Sequence, residues 1–164
     1  MKPLTLLIKP ASGLCNMSCR YCFYKSASAC RDNIIMSYDT VDLLIQKIVS
    51  FQPSALTFMF QGGEPLLAGI DFYKYFVSSV RDAVRVPVSY ALQTNGLLID
   101  DEYAGFFGEN GFLLGVSLDG DKSVTDRNRS DNNGKSVFDR VMNSINILRS
   151  HSVDFNIQIG RAHV

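Results

Sequence analysis

The 164 residues contain no tryptophan, which excludes an indole from any core or site, and only four cysteines. No stretch approaches the ~20 consecutive apolar residues that a membrane span needs. Sixteen basic and sixteen acidic residues cancel, so no charge excess draws the chain to nucleic acid or to a membrane surface. The opening Met1–Lys9 has an apolar run, but it is far shorter than a signal-peptide core and no cleavage site follows it. Repeats, low-complexity tracts and linkers are also missing. What remains is a 46% hydrophobic chain, ample for one buried core and too short for two full domains. A cytoplasmic protein that binds neither nucleic acid nor membrane is expected.

Short β-rich runs alternate with longer helical ones. Leu4–Lys9, Ala55–Phe60, Val86–Leu92, Phe112–Leu118 and Val153–Gln158 read as strands, and their nearly continuous apolarity predicts cover on both faces. Between them, Ser37 is a candidate N-cap for a helix carrying Val41, Leu44, Ile45, Ile48 and Val49 on one side. Tyr73, Phe76, Val77, Val80 and Val84 mark a second helix. A third runs from Asp100 to Glu109, and Val137, Val141, Ile145 and Leu148 mark a fourth. Such alternation predicts an α/β fold with a parallel sheet and right-handed crossovers. Five strands are too few for the closed eight-fold barrel of about 250 residues, so an open or partial barrel is expected.

Three of the four cysteines lie within eight residues, Cys15-Asn16-Met17-Ser18-Cys19-Arg20-Tyr21-Cys22, directly after the first strand. Without a secretory signal, metal binding outranks structural disulfides. In a parallel α/β fold the loops leaving the strands' C-terminal ends build the sites. Three thiolates on one tight loop suit three corners of a four-iron cluster, with one iron left open to a substrate or cofactor. The competing readings are a zinc site and an incidental cluster of free thiols. A structural zinc site needs a fourth ligand that nothing nearby supplies; Cys30, eight residues past Cys22 with no partner, reads as an ordinary free cysteine.

Further strand ends carry polar groups. Gln61-Gly62-Gly63-Glu64-Pro65 follows the second strand, where two glycines let the backbone approach a ligand and Glu64 offers a carboxylate to an ammonium group; a plain turn is the alternative. Gln93-Thr94-Asn95-Gly96 and Ser117-Leu118-Asp119-Gly120 end the third and fourth strands. There Gly96 and Gly120 would turn the chain, while Gln93 and Ser117 face the site. Thr125–Arg129 reads either as a solvated charged loop or as the carrier of Arg129, whose guanidinium fork suits a carboxylate.

The C-x3-C-x2-C spacing after strand one, with Tyr21 just before the last cysteine, resembles the radical S-adenosylmethionine enzymes. The resemblance implies a full or partial (β/α)6 TIM-like barrel and a 4Fe-4S cluster on Cys15, Cys19 and Cys22. It also implies S-adenosylmethionine chelated on the unique iron and cleaved to methionine and a 5′-deoxyadenosyl radical. Gly62, Gly63, Glu64 and Pro65 match the motif that holds the methionine amino group. Cys22-Phe23-Tyr24, Phe60–Gly69, and Val116–Gly120 with Asn128-Arg129 look closest to the anaerobic sulfatase-maturating enzymes. There Tyr24, Gln61, Gln93, Ser117 and Arg129 occupy cofactor-contacting positions. That likeness implies a protein or peptide substrate, a sulfatase whose cysteine or serine is oxidised to formylglycine, and an electron donor such as flavodoxin or ferredoxin.

The chain departs from the family pattern in lacking the cysteine-rich C-terminal domain with two auxiliary clusters, the last barrel strand and the substrate-side acid/base, so no catalytic residue is named. Other readings are a maturase forming thioether or carbon–carbon crosslinks, and a non-catalytic zinc module. Residues 1–158 are expected to form one incomplete core domain. Ile159-Gly160-Arg161-Ala162-His163-Val164 matches one reading frame of a widely used sequencing-adapter oligonucleotide. A non-native tail is therefore expected at 159–164, the alternative being a genuine shortened chain; Arg161 and His163 receive no role.

Overall fold

The computed structural model describes residues 2–25 and 34–160; Cys30, Arg161 and His163 lie outside them. Five strands form one sheet in the order β1-β2-β3-β4-β5: β1 Leu4–Ile8, β2 Leu56–Phe60, β3 Val88–Thr94, β4 Phe112–Ser117 and β5 Asp154–Gln158. Every neighbouring pair is parallel, so the strands' C-terminal ends gather along one rim. The chain is thus α/β, an arc of a parallel barrel. No helix of the described residues is long and apolar enough to cross a membrane.

The connecting helices follow the apolar periodicity. α1, Tyr38–Ser50, starts at Ser37, whose hydroxyl accepts from the Thr40 amide, and buries Val41, Ile45 and Ile48. α2, Ile70–Ala83, buries Phe72, Tyr73, Phe76, Val77 and Val80. α3, Asp101–Glu109, is capped by Asp100, and α5, Phe138–Ser150, buries Val141, Ile145 and Leu148. Against them the sheet turns Leu56, Phe58, Phe60, Leu92, Phe112, Leu114 and Val116, all buried. Aromatic rings dominate this layer: Phe58 and Phe60 meet Phe76 edge-on at 5.0 and 5.1 Å. Each such side chain contributes about 1.5–3 kcal/mol on burial.

Three expectations change. The strands are covered on one face only: in register across the other lie Leu7, Met59, Ala91 and Leu113, of which Leu7, Met59 and Leu113 are exposed. That face is the concave side of an arc, and continuous apolarity cannot distinguish it from a covered one. β3 starts two residues later than the apolar run, because Pro87 has no N–H to give the ladder, and it extends through Gln93 and Thr94. Finally, the charged stretch before Arg129 is helical: α4 spans Lys122–Asn128, with Asp121 accepting from the Val124 amide and Arg129 as C-cap.

Candidate functional site

The cysteine loop leaves β1 through two turns, Ser12 N–H donating to Lys9 O (3.2 Å) and Leu14 N–H to Ala11 O (2.9 Å). All three thiols are free; Cys15 and Cys19 are half-buried and Cys22 is exposed. The segment after α4 clamps them from the far end of the sequence. Ser18 and Arg20 donate their amides to Ser130 O and Asn128 O, both at 2.9 Å. Met17 and Asp131 form an antiparallel bridge next to these contacts, and the Asn132 side-chain Nδ2 donates to Cys15 O at 3.1 Å. Asp131 stiffens the clamp by accepting from the Asn133 and Lys135 amides.

Burial pushes the Cys15 thiol up to about 11, partly countered by the Met17 amide. The Cys19 thiol is also raised by burial, against the pull of the Arg129 cation. Among the described residues no three His, Cys, Asp or Glu side chains are gathered into a set that could hold a metal ion. The three thiols nonetheless share one clamped loop at the end of β1.

A second knot fixes Tyr21, between Cys19 and Cys22. Its hydroxyl donates to Asp119 Oδ2 at 2.5 Å, and the Arg129 guanidinium lies 5.2 Å from its ring centre. Arg129 donates from Nη2 to Asp119 Oδ1 at 3.1 Å, and its Nε sits 3.0 Å from Oδ2 with the N–H not aligned for a hydrogen bond. The Gly160 amide donates to the same carboxylate at 2.8 Å. Burial raises the Asp119 carboxyl, but the donors from Arg129, Tyr21 and Gly160 outweigh it and hold it below its ordinary value. Burial and then the Asp119 contact hold the Tyr21 phenol well above its ordinary range. Arg129 is therefore engaged inside the protein rather than free in a loop; the sequence reading had Tyr21 only in the cysteine signature and Asp119 only in a strand-end motif, and missed their pairing with Arg129.

Glu64 differs most from its expected part. It is completely buried; Oε1 accepts from the Leu66 amide at 3.1 Å and the Thr94 hydroxyl at 2.8 Å, and Oε2 accepts from the Asn95 amide at 2.7 Å. No free carboxylate is offered to an ammonium group: the side chain ties the loop after β2 to the end of β3. The neighbouring Gly63 has φ +58°, and a Cβ there would overlap the Leu14 carbonyl, so only glycine lets this loop close on the cysteine loop. Glu64 N–H donates to that same carbonyl at 2.7 Å. Pro65 starts a 3-10 turn over Pro65–Ala68, and its carbonyl accepts from the Tyr73 hydroxyl at 2.8 Å.

Gln93 and Ser117, on the concave face, meet each other, Nε2 donating to Oγ at 3.1 Å. Gly115 lies between the Gln93 and Gln158 side chains, and a Cβ there would strike the Gln93 carboxamide oxygen. Tyr24 takes the Lys9 ammonium over its ring at 4.5 Å. Gln61 and Gly62 are half-buried, and Gln61 N–H donates to Ile8 O at 3.0 Å. The strand-end loops thus form one polar rim with the thiols at its β1 side.

Residues 10–160 match the family model of the radical SAM superfamily. The chain belongs to the radical SAM superfamily. Among curated relatives it is 42% identical to a cysteine-type anaerobic sulfatase-maturating enzyme of Clostridium novyi, over 96% of this chain and 43% of the relative. It is 37% identical to a serine-type anaerobic sulfatase-maturating enzyme of Klebsiella aerogenes, over 96% and 40%. The solved structure of native anSMEcpe with bound AdoMet and Cp18Cys peptide superposes with a TM-score of 0.89 at 37% identity, covering 96% of this chain and 43% of that one. The chain therefore spans under half the length of the relatives it matches, and its sheet is the partial barrel seen in those solved radical SAM enzymes.

Proposed function

We propose that this radical SAM chain holds a 4Fe-4S cluster on Cys15, Cys19 and Cys22 and binds S-adenosylmethionine across the rim of the barrel. The observation that carries the reading is the clamped loop of three free thiols at the strands' C-terminal ends. The donor set fits the group: it is all thiol, as iron clusters prefer, and it leaves one corner for a cofactor. When bound, the cluster supplies the electron that cleaves the cofactor's sulfonium.

The chain's own residues would bind and orient. With the Glu64 carboxylate spent on the loop after β2, the amino group of the cofactor falls to the backbone of Gln61, Gly62 and Gly63, held in place by Glu64 and Pro65. Gln93 and Ser117 offer a paired amide and hydroxyl to the nucleoside, and Tyr24 closes the β1 side. Arg129 first holds Asp119 and Tyr21, and only the guanidinium edge turned away from Asp119 remains for the cofactor carboxylate.

The named relatives extend the reading to the whole protein: oxidation of a cysteine or serine of a sulfatase to formylglycine, with electrons from a flavodoxin or ferredoxin, in the reducing cytoplasm. Cysteine-type and serine-type relatives match at 42% and 37%, so this part of the chain does not choose between the two residues. Anaerobic reconstitution with iron and sulfide is the test. The expected product binds about four irons per chain, gives the electron paramagnetic resonance of a reduced cluster and cleaves S-adenosylmethionine. A colourless, zinc-replete protein would sink the reading.

A further inference from the structure

We propose that Asn95 tunes the reduction potential of the cluster by donating a hydrogen bond to the Cys15 sulfur. The inference rests on the cluster reading above and concerns a residue whose sequence context suggests only a turn. Asn95 stands at the end of β3 and is 8% exposed, and its polar groups are committed one by one. Its amide donates to Glu64 Oε2 at 2.7 Å, and its Oδ1 accepts from the Leu97 amide at 3.0 Å. That leaves the two hydrogens of the carboxamide nitrogen. One goes to Asn16 Oδ1 at 2.7 Å; the other is left for Cys15 Sγ, which lies 3.9 Å from the nitrogen.

The side chain cannot turn over without cost, because a flip would set its NH2 against the Leu97 N–H and its oxygen against Asn16 Oδ1. The donor is thus held beside the sulfur chiefly by the Leu97 amide on its oxygen and by the bond from its own backbone to Glu64. The Met17 amide gives the same sulfur a second donor. Cys15 is also half-buried, where a polar contact is screened less than in water.

A cluster gains negative charge on its sulfurs when it takes up an electron, so an N–H donor stabilises the reduced form more than the oxidised one and raises the potential. The contact strengthens when the thiol becomes a charged ligand. Asn95 is on this account a tuning and positioning residue, not a catalytic one.

The experiment uses the full chain, reconstituted anaerobically, in three forms: unaltered, Asn95→Ser and Asn16→Ala. Serine keeps an oxygen able to accept from Leu97 N–H but cannot reach Cys15; alanine at 16 removes the Asn95–Asn16 bond and leaves the sulfur contact. Iron per chain is measured first, and the midpoint potential is then followed by paramagnetic resonance. The unaltered chain and Asn16→Ala should share a midpoint. Asn95→Ser should load as much iron but lie more negative, with the reduced-to-oxidised ratio at a fixed potential falling about tenfold, about 59 mV for a one-electron couple. Equal midpoints in all three overturn the proposal. So does an equal shift in both variants, which assigns the effect to loop geometry, or loss of iron in Asn95→Ser alone, which makes the residue purely structural. Failure of the unaltered chain to hold iron overturns the cluster reading itself, and the tuning with it.

Discussion

At the scale of single residues, removing Glu64 from water pushes its carboxyl up to about 7 even though Leu66, Thr94 and Asn95 all donate to it. Its ordinary value is 4.5, so between those limits the folded chain binds more protons than the unfolded one. Stability from this group is therefore full below about pH 4.5 and is lost as pH rises toward 7. The carboxylates held low, Asp119, Asp121, Asp126 and Asp131, act in the opposite sense, but only below 3.8. The chain should accordingly be more stable at about pH 5.5 than at about pH 8, by about 2 kcal/mol. Glu64→Gln should flatten that slope in urea titrations run across the range. An unchanged slope would mean that Glu64 keeps its proton count on folding. None of this was legible beforehand: Gly-Gly-Glu-Pro predicts a glutamate near a ligand, while its burial depends on Thr94 and Asn95, thirty residues downstream.

Among the elements, α4 is where composition misled. Lys122–Asn128 is almost entirely polar and buries only Thr125, so it has no apolar period to read; its start is set by Asp121 and its end by the chain's return to the cysteine loop. The long helices were legible because Ser37, Asp100 and the apolar positions of α1, α2, α3 and α5 do what their residue types favour. The five strands and the loop of thiols were legible for the same reason. The clamp and the knot beside it were not: Asn132 is 117 residues from Cys15 and Tyr21 is 98 from Asp119, and they pair only once the sheet has formed. Since α4 delivers that clamp, Asp121→Ala should cost about 1 kcal/mol as a lost N-cap. It should also raise the rate at which iodoacetamide modifies Cys15 and Cys19 in the metal-free chain by several-fold. Unchanged alkylation with lowered stability would separate the helix from the loop.

For the molecule as a whole, the sheet ends at β5 among the described residues, and the apolar side chains there are thinly covered: Ile157 in β5 and Ile159 just past it are 43% and 64% exposed. An exposed strand edge flanked by apolar surface invites pairing between copies. The chain should sediment with concentration-dependent association, and Ile157→Lys should shift it toward monomer; a monomer at all concentrations would contradict this. The clamp on the cysteine loop also has a consequence in time. Asn132 reaches back 117 residues to Cys15, so on a ribosome adding about 5–20 residues per second the thiols emerge on the order of ten seconds before the segment that clamps them. Through that interval they are unshaped nucleophiles open to oxidants and stray zinc. On the cluster reading proposed above, iron delivery would follow synthesis of the fourth strand and α4, and nascent copies would need reducing surroundings until then.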